Sequence, residues 1–214
     1  MDPTRKRALV VASQALALMG ILMIGADAAV IRLIHRSLTP TQDDFFDTVS
    51  ELANATILSI VAMGNYGASR VALAWPVARR WLPWWDRART GSLLMLLTLL
   101  TGGLATLLLK HLVARARPSV LLEDGHYGLV ASFSGAPFNS FPSSHAFTAF
   151  AAACVLAYLL PAWRMPLFVL AAIVSICRVL TLEHFPSDVL ASAFIAAGCV
   201  RFWAPRVQGS MSRN

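Results

Sequence analysis

Three short groups of residues carry side chains able to do chemistry: Lys110 and Arg117; Ser143, Ser144 and His145; and Arg178, His184 and Asp188. Lysine and arginine supply fixed positive charge, and the planar fork of arginine matches phosphate oxygens. Histidine changes protonation near neutral pH, so it suits nucleophile, acid and base roles. Asp188 follows His184 closely enough to orient that ring. Pro142 and Pro186 each read as the opening of a helix, with Ser140 a candidate cap for the first. The amides of Ser143, Ser144 and His145 then point outward from a positive dipole end, which makes a ready anion site. Lys110 and Arg117 are two helical turns apart and project on one side if the helix runs that far. Fixed cations, helix N-termini and a pair of histidines describe a phosphate site with a nucleophile and an acid.

The elements that must position these groups are apolar. The chain has 214 residues, 57% of them hydrophobic and 14% charged, with mean hydropathy +0.63, which places it among integral membrane proteins as one compact domain spanning residues 1–214. Runs long enough to cross a bilayer as helices lie at about residues 8–31, 52–76, 91–113, 143–162, 165–183 and 186–204. The predicted fold is therefore all-α, an integral membrane bundle of six transmembrane helices. Every residue of the three groups falls at the same face of that bundle, and ionisable groups at such positions are costly unless they serve a function. The connection over residues 114–141 is the lengthy loop of the chain and a candidate for function.

The net charge of +7 and a pI near 10.2 do not indicate nucleic acid, because the basic residues form short clusters between apolar runs. Arg5, Lys6 and Arg7, then Arg79, Arg80, Arg87 and Arg89, then Arg164, then Arg201, Arg206 and Arg213 put a majority of the 18 basic residues on one side. That side is expected to be cytoplasmic, with both termini on it and the site on the outer, periplasmic face of a bacterial inner membrane. Trp81, Trp84 and Trp85 beside the second cluster read as an interfacial anchor. Ala26-Asp27-Ala28 after the first apolar run imitates a signal-peptide cleavage site, but the run is long for that and an uncleaved helix is expected. Cys154, Cys177 and Cys199 lie within apolar runs, are odd in number and form no CxxC pair, so neither a disulfide framework nor a zinc site is indicated.

Lys110-x6-Arg117-Pro118, Pro142-Ser143-Ser144-His145 and Cys177-Arg178-x5-His184-x3-Asp188, in this order, resemble the three signature motifs of the type 2 phosphatidic acid phosphatase superfamily. The resemblance covers residues 110–188 and implies a metal-free phosphatase without a cofactor, acting on a lipid phosphate in the bilayer. It implies that His184 attacks phosphorus to give a phosphohistidine, oriented by Asp188, and that His145 protonates the leaving oxygen and then activates water. Lys110, Arg117, Arg178, Ser143 and Ser144 are the implied phosphate-binding residues. Two positions depart from the family pattern: Ser144 stands for the usual glycine and Cys177 for the usual serine before the arginine.

Outside the motifs, His35 and His111 read as interfacial or loop residues, His126 as a candidate substrate contact, and Arg115 as a solvated loop arginine. Asp43, Asp44, Asp47 and Glu51 read as a polar loop and helix start, since metal-ligand spacing is not evident. Asp27 is costly within the first segment and has no partner that the sequence names. The sequon at Asn54 lies at a helix start and is discounted. The expected activity is hydrolysis of a lipid phosphomonoester or diphosphate, with phosphatidate, phosphatidylglycerol phosphate, undecaprenyl diphosphate and the lipid A phosphates as candidate substrates. Phosphotransfer to another lipid, or lipid-phosphate binding without turnover, are the alternatives.

Overall fold

A computed structural model describes residues 10, 13–14, 17–37, 40–75 and 81–211. The basic residues expected at positions 5–7, 79–80 and 213 lie outside the described residues, as does most of the start of the first apolar run. All regular elements among the described residues are helical: a π-turn at Leu22–Ala26 leads into α1 (Asp27–Ser37), followed by α2 (Pro40–Ser50), α3 (Ala55–Ala74), α4 (Leu82–Val113), the short α5 (Pro118–Glu123), α6 (Ser144–Leu159), α7 (Arg164–Leu180) and α8 (Pro186–Met211).

Among the described residues four helical stretches are long and apolar enough to cross a membrane: Asp44–Ala74, Leu82–Val113, Pro161–Leu180 and Pro186–Gly209. Six had been expected. α6 is apolar but has 16 residues, about 24 Å of helix, against a hydrocarbon core of about 30 Å. Its length is cut at one end by the Ser143 cap and at the other by Leu160 and the following Pro161. α7 shows the membrane pattern clearly, with Met165, Val169, Ile173 and Ile176 exposed on one face while Ala171, Val174 and Cys177 are buried on the other. Exposed leucines along α4 (Leu100, Leu104, Leu107, Leu108) repeat it. So large an apolar exterior suits lipid rather than water.

α6 sits at the centre, packed against α4, α7 and α8, and α4 also packs against α3 and α8. Leu94, Met95 and Leu99 of α4, Phe147, Ala151 and Val155 of α6, and Ala196 and Val200 of α8 form the largest buried cluster. Gly102 permits a close approach of α4 to α6, because a Cβ there would stand 2.4 Å from the Phe147 ring. The packing holds the starts of α6 and α8 beside the ends of α4 and α7, and the candidate site is at that end. Arg87 and Arg89 near the start of α4, Arg164 at the start of α7, and Arg201 and Arg206 late in α8 lie at the other ends of these helices.

Candidate active site

Lys110 occupies the last turn of α4. The helix stops at Val113 and Ala114 takes a left-handed conformation (φ 45°), so the run from Lys110 to Arg117 is not one helix. Arg117 instead caps α5, and the two cations meet on Asn139: Lys110 Nζ donates to its carbonyl at 2.9 Å and Arg117 Nε to its Oδ1 at 2.8 Å. Arg117 also pairs with Glu183, whose carboxylate lies 3.6 Å from Arg178 Nη2. Glu183 thus bridges two of the three cations. Arg178, at the end of α7, donates from Nη1 to Asp47 Oδ1 at 2.7 Å and to Ser50 Oγ at 3.0 Å. The same turn of chain supplies Glu51, whose Oε1 is 3.3 Å from His145 Nε2.

The opening of α6 differs from expectation. The Phe141–Pro142 peptide is cis, and the helix begins two residues later, with Ser143 as its cap. Ser143 Oγ accepts from the Ala146 amide at 3.4 Å, and the Ser143 amide donates to the Asp188 carbonyl at 3.5 Å. Ser143 is therefore buried and used in holding α6 to α8, while Ser144 is exposed and His145 half-buried. The outward amides are those of Ser144 and His145 in the first turn. Pro186 does open α8, and Asp188 lies in its first turn.

His184 and Asp188 are neighbours but do not hydrogen-bond directly: Nδ1 to Oδ2 is 3.9 Å. Nδ1 is instead 2.7 Å from the Ser140 carbonyl oxygen. A carbonyl carries no hydrogen, so this bond requires the proton on Nδ1 and leaves the lone pair on Nε2. Ser140 Oγ in turn donates to Asp188 Oδ2 at 2.6 Å. One serine therefore joins the aspartate to the histidine. The His184 imidazole is held below its usual pKa, first by burial and then by the charges of Lys110 and Arg117, with Asp188 opposing.

Asp188 is fully buried and its oxygens are fully engaged. Oδ2 also accepts from the Phe185 amide at 2.9 Å, and Oδ1 accepts from Arg115 Nη1 at 2.5 Å. Arg115, expected to be solvated, is 1% exposed. Its Nη2 donates to Asp27 Oδ2 and to Tyr127 Oη, both at 2.8 Å, and its guanidinium lies 4.2 Å from the centre of the Phe185 ring. Asp27, which the sequence left without a partner, accepts from Arg115 and from both the amide and the hydroxyl of Ser187. Removing one member of such a buried set costs about 3–5 kcal/mol, because a charge is left uncompensated.

The remaining candidates stand apart. His35, His111 and His126 are exposed, with His111 Nδ1 2.8 Å from the Leu107 carbonyl oxygen and its ring 5.9 Å from that of Phe133. Asn54 caps α3, accepting from the Thr56 and Ile57 amides at 3.0 and 3.3 Å. Cys177 is buried, and its carbonyl accepts from the Thr181 amide. The residues missed by sequence reasoning are Arg115, Asp27, Ser140, Asn139, Asp47, Glu51 and Glu183. The usable signals were the cost of a carboxylate at Asp27 within an apolar segment and the acidic run near the start of a candidate span.

The PAP2 superfamily model matches residues 91–211, more than half of the chain, and the chain belongs to that superfamily. It is 35% identical over 94 residues to a lipid A 1-phosphatase of Rhizobium etli, covering 44% of this chain and 40% of that protein. It is 37% identical over 101 residues to a lipid A 1-phosphatase of Rhizobium johnstonii, covering 47% and 41%. The chain thus spans about two fifths of the length of these curated relatives. Its fold resembles the crystal structure of a transmembrane PAP2-type phosphatidylglycerolphosphate phosphatase from Bacillus subtilis, with TM-score 0.63, 21% identity and 96% of both chains covered. It also resembles Aquifex aeolicus LpxE, with TM-score 0.57, 23% identity, and 82% of this chain and 93% of that one covered. At these identities the likeness is one of fold.

Proposed function

We propose that the chain is an integral membrane lipid phosphatase that hydrolyses a lipid phosphomonoester or diphosphate through a phosphohistidine on His184. The observation that carries this reading is the His184 ring, pinned at Nδ1 by Ser140 with its lone pair on Nε2, close enough to Lys110 and Arg117 to feel both charges. In the first step Nε2 attacks phosphorus, the bond from phosphorus to the lipid oxygen breaks, and His145 gives its proton to that oxygen. In the second, His145 takes a proton from water as the water attacks phosphorus, the phosphorus–nitrogen bond breaks, and inorganic phosphate leaves. Lys110, Arg117, Arg178 and the first amides of α6, at Ser144 and His145, bind the equatorial oxygens and stabilise their charge. Phosphate entering the site displaces Glu183 from Arg117 and Arg178. Asp188 holds the charge that His184 gains, acting through Ser140.

The same proposal takes α6 and the amino-terminal segment as further crossings, giving six, and places the site on the periplasmic face. The placement of the described Arg87, Arg89, Arg164, Arg201 and Arg206 away from the site supports that orientation. Lipid A 1-phosphate leads the candidate substrates on the strength of the two curated relatives. The test is phosphate release by the purified protein from lipid A, phosphatidate, phosphatidylglycerol phosphate and undecaprenyl diphosphate, with chelator or vanadate present. Turnover in chelator, inhibited by vanadate and highest on lipid A, is expected. Transfer of the label to an added acceptor lipid instead of water would identify a phosphotransferase, and loss of activity in chelator restored by magnesium would reject the mechanism.

A further inference from the structure

The buried set around Arg115 is unusual in where it ends. It begins at Asp27, on the first turn of α1, and finishes on Asp188, beside His184. The two carboxylates share one guanidinium through separate nitrogens, Nη2 to Asp27 and Nη1 to Asp188, and Ser187 Oγ lies between them, accepting from Nη1 at 2.7 Å and donating to Asp27. We propose that Arg115 and Asp27 are positioning residues for Asp188, Arg115 fixing its orientation and Asp27 preserving its effective negative charge. The proposal rests on the reading of His184 as nucleophile and deepens it.

Asp188 must be held rigidly while keeping a field that favours positive charge on His184. A lone guanidinium at 2.5 Å would fix the carboxylate but largely cancel that field. Asp27, at 2.8 Å from the same guanidinium, offsets the cancellation. Asp27, Arg115 and Asp188 together carry one net negative charge, which becomes balanced when His184 turns cationic as phosphohistidine. Burial strengthens each of these effects, since all three side chains are at most 1% exposed. A purely structural tie between α1 and α8 needs no such sign relation, and a buried ion pair is in any case weak evidence for stability. Each oxygen of Asp188 is also spoken for: Arg115 takes Oδ1, while Ser140 Oγ and the Phe185 amide take Oδ2. Orientation thus passes from α1 to the carbonyl that sets the His184 tautomer.

The charged groups facing His184 are Asp188 from α8, Lys110 from α4 and Arg117 from the start of α5. Glu183 precedes it in the chain and pairs with Arg117 and Arg178. With these unchanged, Asp27→Asn adds positive potential at His184 and moves the acid limb of kcat/KM to lower pH. Asp27→Asn combined with Arg115→Gln removes one charge of each sign and returns the limb.

The experiment uses the full chain in detergent, measuring phosphate release from dioctanoyl phosphatidate as a function of pH, with thermal unfolding as the check of folding. Partners that orient a catalytic group are worth about tenfold or more. Asp27→Asn is expected to lower kcat by about tenfold with KM within about twofold, and to shift the acid limb down by about half a unit to one unit. The double variant is expected to keep the low kcat and recover the wild-type limb. If the double variant does not fold, the near-isosteric Asp27→Asn decides alone through kcat and the limb. A folded Asp27→Asn protein with wild-type kcat and an unmoved limb overturns the proposal, as does a double variant whose limb moves further down. His184→Ala is the control on the underlying reading: wild-type turnover there rejects the phosphohistidine, whereas an inactive His184→Ala beside a normal Asp27→Asn rejects the positioning role alone.

Discussion

His184 Nδ1 donates to the backbone carbonyl of Ser140 at 2.7 Å, while the nearest oxygen of Asp188 stands 3.9 Å away. The tautomer of the candidate nucleophile is therefore set by a main-chain oxygen, which mutation of a side chain does not remove. The aspartate is linked to His184 at one remove, accepting from the Ser140 hydroxyl.

A first prediction concerns pH. Burial, with Lys110 and Arg117, holds the His184 pKa below the ordinary histidine value of about 6.5. A nucleophilic imidazole must be neutral, and a depressed pKa keeps it neutral to lower pH. The acid limb of kcat/KM should thus have its midpoint below pH ~6.5. Asp188→Asn removes the charge that raises this pKa, so the limb should move lower still while kcat falls. A limb that moves upward in Asp188→Asn would contradict the assignment of charges.

Glu183 bears on phosphate affinity. Its carboxylate sits on Arg117 and near Arg178, the two arginines to which the proposed mechanism assigns phosphate. The pairs are partly exposed, so each is worth about 1 kcal/mol or less. Glu183→Gln should then tighten inhibition by vanadate by up to roughly fivefold, since the oxyanion no longer displaces a charge. Weaker inhibition would mean that Glu183 supports the anion site rather than competing for it.

Which residues would meet was largely legible in the sequence, because Lys110, Arg117, His145, Arg178, His184 and Asp188 are spaced by helix ends that prolines and apolar runs mark out. What holds them was not. The pairing of Asp27 with Arg115 joins residues 88 positions apart, and no local pattern distinguishes a buried arginine from a solvated one. Asp47 and Glu51 lie in a stretch of mixed polarity whose helical face toward Arg178 appears only once α2 packs against α7. The start of α6 was misread by two residues because Pro142 suits a first helical position, whereas here the Ser143 side chain takes the cap one residue later. The apolar runs located the four long helices well, while α6 is apolar but shorter and most of the start of the first run lies outside the described residues.

Cys177 and Arg178 are adjacent on α7 and should respond very differently. Arg178 reaches Asp47 and Ser50 beside His145, and in the proposed mechanism it stabilises the transition state, so Arg178→Ala should lower kcat/KM by about a hundredfold or more. The Cys177 thiol is buried and only a weak hydrogen-bond donor, so Cys177→Ala should cost about threefold or less. Initial rates on folded proteins decide it. Equal losses would give the thiol a role in the chemistry.

Topology is open to labelling. Gly125 lies in the exposed turn after α5, at the end of the molecule that carries the site. A cysteine placed there should react with a membrane-impermeant thiol reagent from outside the cell, and a reporter fused after Asn214 should read cytoplasmic. Protection at Gly125 together with an external reporter would invert the orientation.

The most direct measurement is a trapped phosphoenzyme. Protein mixed with lipid substrate labelled in its phosphate, quenched in alkali, digested and sequenced should carry acid-labile label on His184. The label should be absent from His184→Ala and should persist longer in His145→Ala when the leaving group needs no protonation, because the water step then lacks its base. Turnover at the wild-type rate in His184→Ala, or label on another residue, would contradict the account.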